Sequence, residues 1–244
     1  MELLASIAEY WSMRAEGYSE SVNRNLDSLE SGSWLRRISK YSDLGSPMRI
    51  LDAGTGPGFF PMLLGGQGHD VTAIDCTEAM LRESERNCRE RGAEARFLRM
   101  DAQDLDFPDG SFDLVLSRNL IWNLERPERA YREWLRVLAP GGRMIVFDGN
   151  HYLHLYDRDY SENSRLALEH PRVNIDGVDT WIIREIARDL PLSRERRPQW
   201  DLGVLMEAGA VSVSAEFEPG ETVRVDSPRG TVFLPDRFTI CAVK

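Results

Sequence analysis

Apolar residues along the chain switch repeatedly between helical spacing and short β-rich runs. Leu3, Leu4, Ile7, Ala8 and Trp11 recur every three or four positions. Val22, Leu26, Leu29, Trp34, Leu35 and Ile38 follow, so residues 2 to 42 read as helices. After the turn-rich joint Ser42–Pro47, Arg49–Asp52 reads as a short buried strand and Phe59–Leu64 as the opening of a helix. Asp70–Asp75 alternates as a second strand, and Glu78–Arg91 is a helix with a charged outer face that Gly92 ends. Ala95–Met100 and Phe112–Ser117 are the third and fourth strands. A helix over Pro127–Leu138, with Ala130, Trp134, Leu135 and Leu138 inward, leads to a fifth strand at Met144–Asp148. Gly149 to Pro198 is too long for a plain strand–helix connection and reads as a lid or substrate-binding insertion containing a helix from Trp181. A last helix starts at Gln199–Leu202 and ends at Gly209. Val211–Phe217 and Thr231–Val243 read as the final two strands, with Arg224–Gly230 in their connection.

Composition narrows this picture. A chain of 244 residues with 42% apolar content suits one large domain, or one domain with an added lid. A net charge of −10 argues against a broad footprint for nucleic acid or anionic membrane. Cys76, Cys88 and Cys241 are odd in number and lack metal-ligand spacing, which points to a reducing, cytoplasmic setting. The first residues lack a basic segment followed by an apolar run, and no run of eighteen or so apolar residues exists to span a bilayer. The oligomeric state is left open.

The chemistry concentrates after the first strand, in Asp52-Ala-Gly54-Thr55-Gly56-Pro-Gly58. Glycines there permit positive φ and let backbone approach a ligand, with the following helix aiming free N–H groups at the loop. The spacing differs from the G-x-G-x-x-G of dinucleotide sites, and the leading acid suits a cationic or ammonium-bearing ligand. Asp75 closes the second strand roughly twenty residues on, where an acid can accept both hydroxyls of a ribose. His69 falls in a turn and is expected at the surface. His151-x-x-His154, followed by Asp157 and Asp159, could hold a metal, but a histidine facing the pocket as a proton acceptor is the preferred reading, and no metal is expected. The basic loop Leu190–Pro198 reads as a solvated surface, with a clamp for an acidic substrate as the alternative.

Asp52 to Gly58 resembles the first motif of class I S-adenosylmethionine (SAM) dependent methyltransferases, whose cofactor carries a sulfonium and an α-ammonium. Other segments match in order: Asp75-Cys-Thr-Glu-Ala-Met80-Leu resembles D-x-S-x-x-M-L, Asp101-Ala102 the adenine landmark, Phe112-Asp-Leu-Val the F-D-x-V strand, and Leu138-Ala-Pro-Gly-Gly-Arg143 the L-x-P-G-G-x turn. The segment from Trp11 through Arg14-Ala15 to Tyr18 resembles the W-x-x-R-A-x-x-Y lid of many small-molecule methyltransferases. The closest group is the broad one that includes ubiquinone/menaquinone-biosynthesis-like enzymes. The resemblance implies that Asp52, Gly54, Thr55, Gly56, Gly58, Asp75, Cys76, Met80, Asp101, Ala102, Ser117 and Tyr18 bind the cofactor. By the same resemblance Cys76 lies against the adenine (its residue-level reading is a small buried hydrophobe), while Thr77 caps the next helix. Asn119, Trp122 and His154 become substrate candidates, and His151 and Tyr152 catalytic candidates.

The expected fold is α/β: a seven-stranded, doubly wound, Rossmann-like sheet with an antiparallel last strand, N-terminal helices and a lid after strand five. Its parts are residues 1–47 (helical lid), 48–150 (SAM-binding core), 151–199 (substrate lid) and 200–244 (completing helix and strands). Expected is transfer of a methyl group from SAM to an O, N, C or S atom of a small molecule, releasing S-adenosylhomocysteine. A non-catalytic SAM-binding or interaction protein, and an NAD-dependent oxidoreductase lacking its fingerprint, are the alternatives.

Overall fold

A computed structural model describes residues 2–28, 31–163, 177–218, 221–227 and 230–244. Three helices come first: α1 (Glu2–Met13), α2 (Ala15–Ser28) and α3 (Ser31–Ser39). The core follows as β1 (Arg49–Ala53), α4 (Phe59–Leu64), β2 (Asp70–Asp75), α5 (Glu78–Arg91), β3 (Arg96–Arg99), β4 (Phe112–Arg118), α6 (Pro127–Val137) and β5 (Leu138–Gly149). Beyond it lie α7 (Arg158–Asn163), α8 (Thr180–Asp189), α9 (Gln199–Glu207), β6 (Ser212–Phe217), β7 (Thr222–Ser227), β8 (Gly230–Pro235) and β9 (Arg237–Val243).

Seven strands form one sheet in the order β3-β2-β1-β4-β5-β9-β6, in which β9 alone runs against its neighbours. Period-two alternation in the central strands feeds two cores. Leu51, Val115, Met144 and Val146 face α6 and α9, where Tyr131, Trp134 and Leu205 are buried. Ile50, Leu114, Leu116, Ile145 and Phe147 face the other way, onto Trp34, Ile38, Phe59 and Phe60. Strands covered on both faces read as nearly continuous apolar runs, which is how Arg49–Asp52 and Phe112–Ser117 read in the sequence. On α6, Ala130, Tyr131, Trp134 and Leu135 point inward while Arg129 and Arg132 stay in water.

Several expectations are corrected. Thr231–Val243 is two strands: the chain turns at Asp236, and Gly230–Pro235 instead pairs with Thr222–Ser227 in a separate ribbon. Val223 anchors that ribbon on Leu153 and Tyr160, so Arg224 to Gly230 is largely strand and not plain connection. The carbonyl of Pro235 accepts from the Asn150 amide (2.8 Å) and the Tyr160 hydroxyl (2.7 Å), which fixes the corner. The fifth strand begins at Leu138, six residues before Met144, and its register shifts opposite Phe112–Leu114. His69 is buried, 8% exposed, and both ring nitrogens lack hydrogen-bond partners; burial lowers its pKa.

Within Gly149 to Pro198, residues 164–176, including His170, lie outside the described residues. The basic loop is not a solvated surface throughout. Arg196 pairs with Asp157 (2.6 Å) and Asp159 (2.8 Å), and Arg197 is fully buried between Asp148 (2.8 Å) and Asp201 (2.7 Å). The loop therefore clamps carboxylates of this chain. Ile183 and Ala187 of α8 meet Ile7 and Tyr10 of α1 in one apolar cluster with Trp122 and Tyr152, so the N-terminal helices and the insertion close over the same end of the sheet. No described helix is long and apolar enough to cross a membrane.

Candidate cofactor and acceptor site

The strand order reverses between β1 and β4, and two connections leave the sheet there in opposite directions. Such a switch point opens a crevice at the carboxyl ends of the strands. A cleft of about 880 Å³, counting its open mouth, lies there. Its floor comes from the ends of β1, β2 and β4, and its cover from Leu4, Ile7 and Trp11 of α1 and Tyr18 and Val22 of α2. Trp11 and Tyr18 contact each other at 5.4 Å between ring centres.

Three acids reach the cleft from successive strand ends. Asp52 is 1% exposed, and its Oδ2 has no hydrogen-bond partner. Burial pushes its carboxyl up to about 7, with Asp75 adding to the rise and Thr55 and Arg118 opposing it. Asp75 is better supplied. Gly56 N–H donates to its Oδ2 (3.0 Å) and Thr77 N–H to its Oδ1 (2.9 Å). Burial still raises its pKa against those bonds. With the Thr77 hydroxyl these make three accepted bonds, which leave about one of a carboxylate's roughly four acceptor sites for a further donor. Thr77 stands at the N-cap of α5, but its hydroxyl goes to Asp75, not to the helix N–H groups as expected. Asp101 accepts from Gln103 N–H (2.9 Å) and from the Gln103 amide (3.0 Å).

The loop between β1 and α4 depends on glycine at two places for different reasons. Gly54 has φ +71°, and a Cβ there would lie 2.6 Å from Leu120 Cδ2. Gly56 has φ +53° with open space toward the cleft, its virtual Cβ meeting only Tyr18 Cε1 at 3.6 Å. The orphan acid and this cradle are complementary to a slender ligand with a cationic end, which fits SAM.

Of the residues singled out as cofactor contacts, Asp52, Gly54, Thr55, Gly56, Asp75, Cys76, Met80, Asp101, Ala102 and Tyr18 line the cleft. Gly58 and Ser117 do not. Gly58 packs under Ser84, and the Ser117 hydroxyl donates to Ala53 O (2.9 Å), stitching β4 to β1 below the floor. The Cys76 thiol is pushed up to about 11 by burial and the adjacent Asp75, so it stays a neutral thiol.

On the acceptor side, Asn119 lines the cleft and sits at φ +54°. Its N–H donates to Phe147 O (2.9 Å) and its carbonyl accepts from Trp122 Nε1 (2.9 Å). Trp122, His151, Tyr152 and His154 are not on the cleft wall. Trp122 stacks near His151 (5.1 Å) and Tyr152 (5.2 Å), and Tyr152 near His154 (5.8 Å). Burial raises Tyr152 and lowers His154 in pKa, so both are held neutral. His151 Nε2 lies 3.5 Å from Asp148 Oδ1. Burial alone would raise Asp148, but Arg197, with His151, brings it below the usual carboxylate range. Among the described residues no cluster of three His, Cys, Asp or Glu side chains could hold a metal ion.

Sequence reasoning missed the buried network behind these groups. Arg197 joins Asp148 at the end of β5 to Asp201 on α9, and Asp201 accepts from the Tyr131 hydroxyl on α6 (2.5 Å). The signal was present as an arginine and an acid four residues apart across a helix start, but helix-surface pairs show the same spacing. Arg118, which the resemblance sets beside the sulfonium with Ser117 and Asn119, lines the cleft together with Leu120.

Comparison with known proteins agrees with this geometry. Residues 51–146 match the family model described as a methyltransferase domain. A demethylmenaquinone methyltransferase of Thermus thermophilus is 39% identical over 129 residues, which is 52% of this chain and 59% of that protein. A ubiquinone/menaquinone biosynthesis C-methyltransferase of Azotobacter vinelandii is 35% identical over 121 residues, 47% of each chain. The chain thus spans about half to three-fifths of the length of the curated relatives it matches. In fold it is similar to a Haemonchus contortus phosphoethanolamine N-methyltransferase solved with S-adenosylhomocysteine, at 16% identity and a TM-score of 0.58, covering 86% of this chain and 52% of that one. Over residues 51–146 the chain is thus similar to a methyltransferase domain, and its sheet order and switch-point cleft agree with that likeness.

Proposed function

We propose that the protein moves a methyl group from SAM to a nucleophilic atom of a small molecule. The observation that carries this reading is one cleft bordered by Asp52, Asp75 and Asp101 at consecutive strand ends, within the segment that matches the methyltransferase domain. In this reading Asp52 faces the cofactor's ammonium, Asp75 its ribose hydroxyls, and Asp101 with Ala102 and Met80 its adenine. Bound SAM supplies a methyl group already activated on a sulfonium. The protein's own contribution is positioning and exclusion of water. Asn119 fixes the floor beside Trp122, and α1 and α2 roof the cleft.

For an acceptor that must lose a proton, His151 is the proposed receiver, oriented by Asp148, which Arg197 keeps ionised. Trp122, Tyr152 and His154 are proposed to shape the acceptor end. Residues 1–47 and 151–199 act as lids on the core of 48–150, which 200–244 completes. The acceptor side lies mostly outside residues 51–146, so relatives that act on demethylmenaquinone offer a class to try first, an electron-rich ring, and no more. Nucleic acid is excluded from the proposal by the net charge of −10, and no membrane partner is included. The free thiols of Cys76, Cys88 and Cys241 suit the cytoplasm. Incubation with methyl-labelled SAM and a panel of quinols, phenols, amines and thiols tests the reading. Label in one acceptor class supports it; tight SAM binding with no transfer to any would favour a non-catalytic SAM-binding protein.

A further inference from the structure

The cleft has an arginine on its wall with no acid of its own. Arg118, the last residue of β4, lies with its guanidinium carbon 4.4 Å from the centre of the Phe59 ring and 5.4 Å from that of Trp34. The buried Arg197, by contrast, takes Asp148 and Asp201, and Arg136 takes Glu133 and Asp109. The Arg118 side chain has no ion pair or hydrogen bond to any described residue. The charged and titratable groups around it are Tyr18, Arg37, Arg237 and Glu218, and Glu218 is already engaged by Arg37. Asp52 lies across the cleft, and Arg237 is engaged by Glu221, so no acid beside Arg118 is bonded to it. A guanidinium cannot shed its proton to relieve burial, and ring faces satisfy its charge in part but none of its N–H edges. Those N–H edges are available to an anion entering the cleft.

The same cleft holds the opposite deficiency, the unpaired Oδ2 of buried Asp52. The two side chains do not pair with each other across the cleft, although Arg118 is near enough to stabilise the Asp52 carboxylate. A lone anion would answer one of these charges and leave the other. A zwitterion answers both. Building on the reading that SAM binds here, we infer that Arg118 receives the α-carboxylate of the cofactor's methionine end while Asp52 faces its ammonium. An acidic group on the acceptor could supply the same chemistry to Arg118, but it would not explain Asp52.

Calorimetric titration with two thioethers separates these sources: S-adenosylhomocysteine, and 5′-deoxy-5′-(3-aminopropylthio)adenosine, which keeps the ammonium but lacks the carboxylate. The wild-type protein is expected to prefer S-adenosylhomocysteine by about tenfold to a hundredfold, the range for a hydrogen bond between charged groups. In Arg118→Met that preference collapses to within about threefold because binding of S-adenosylhomocysteine weakens while the analogue is unaffected, a double-mutant cycle across protein and ligand. Arg118→Lys, which keeps the charge if the methionine variant fails to fold, retains only part of the preference. A preference unchanged in either variant overturns the assignment and gives Arg118 to the acceptor. Binding of neither compound to the wild-type protein would overturn the cofactor site itself.

Discussion

Gly54→Ala and Gly56→Ala differ by one methyl group in one loop, yet the structure separates their costs. Both alanines would sit at positive φ, at +71° and +53°, where an L-residue costs about 1–2 kcal/mol. Only at Gly54 is the space also taken. Its Cβ would lie 2.6 Å, 2.7 Å and 2.9 Å from three carbons of Leu120, well inside contact distance. Leu120 can relieve this only by swinging, and because it lines the cleft it would swing into ligand space. Overpacking of that kind adds about 1–3 kcal/mol. The expected losses are about 2–5 kcal/mol for Gly54→Ala against about 1–2 for Gly56→Ala. For a domain of this size each kcal/mol lowers the midpoint by about 2–4 °C. Thermal unfolding followed by circular dichroism should therefore rank wild type above Gly56→Ala above Gly54→Ala. Calorimetry should show S-adenosylhomocysteine binding lost from both, from Gly56→Ala because the added methyl occupies the approach to the loop. A Gly54→Ala protein as stable as Gly56→Ala, or one that binds S-adenosylhomocysteine normally, would refute this account of the loop.

Asp52 makes cofactor affinity pH-dependent. Its carboxyl is held near 7 by burial, so the ligand-free protein carries it largely protonated below that value, whereas a cationic ligand favours the ionised form. Affinity for S-adenosylhomocysteine should rise with pH toward about 7 and level off above it, and Asp52→Asn should flatten that profile. The stability sign is opposite: a carboxyl pKa raised by folding means that stability of the ligand-free protein falls as pH rises from about 4 to about 7, a slope Asp52→Asn removes in urea titrations. Asp75→Asn should weaken S-adenosylhomocysteine by about 1.5–3 kcal/mol in calorimetry, since a charged acceptor becomes a neutral one. His151→Ala should cut turnover while leaving S-adenosylhomocysteine affinity within about tenfold, or 1.4 kcal/mol; equal turnover would remove His151 from the proton path.

The core was legible in the sequence because its signals are local. Alternation in Asp70–Asp75, the double burial of Arg49–Asp52 and the amphipathic face of Pro127–Leu138 each stem from neighbours along the chain. The strand-end acids were legible for the same reason: Asp52, Asp75 and Asp101 follow strands, and strand ends make the crevice. What failed depended on contacts distant in sequence. His69 was placed at the surface because it follows a glycine-rich turn, but the folded chain buries it. Ser117 and Gly58 sit within motif segments, yet their partners, Ala53 O and Ser84, draw them beneath the floor. Arg197 looked like a surface charge until Asp148 and Asp201 converged on it from a strand and a helix 53 residues apart in number. The split of Thr231–Val243 hinged on Asn150 and Tyr160 gripping Pro235.

Calorimetric titration of the wild-type protein with SAM, S-adenosylhomocysteine and NAD tests the cofactor assignment most directly. Saturable binding of both sulfur compounds, with NAD giving no heat beyond dilution, is the predicted result. NAD binding as tightly as SAM would contradict it.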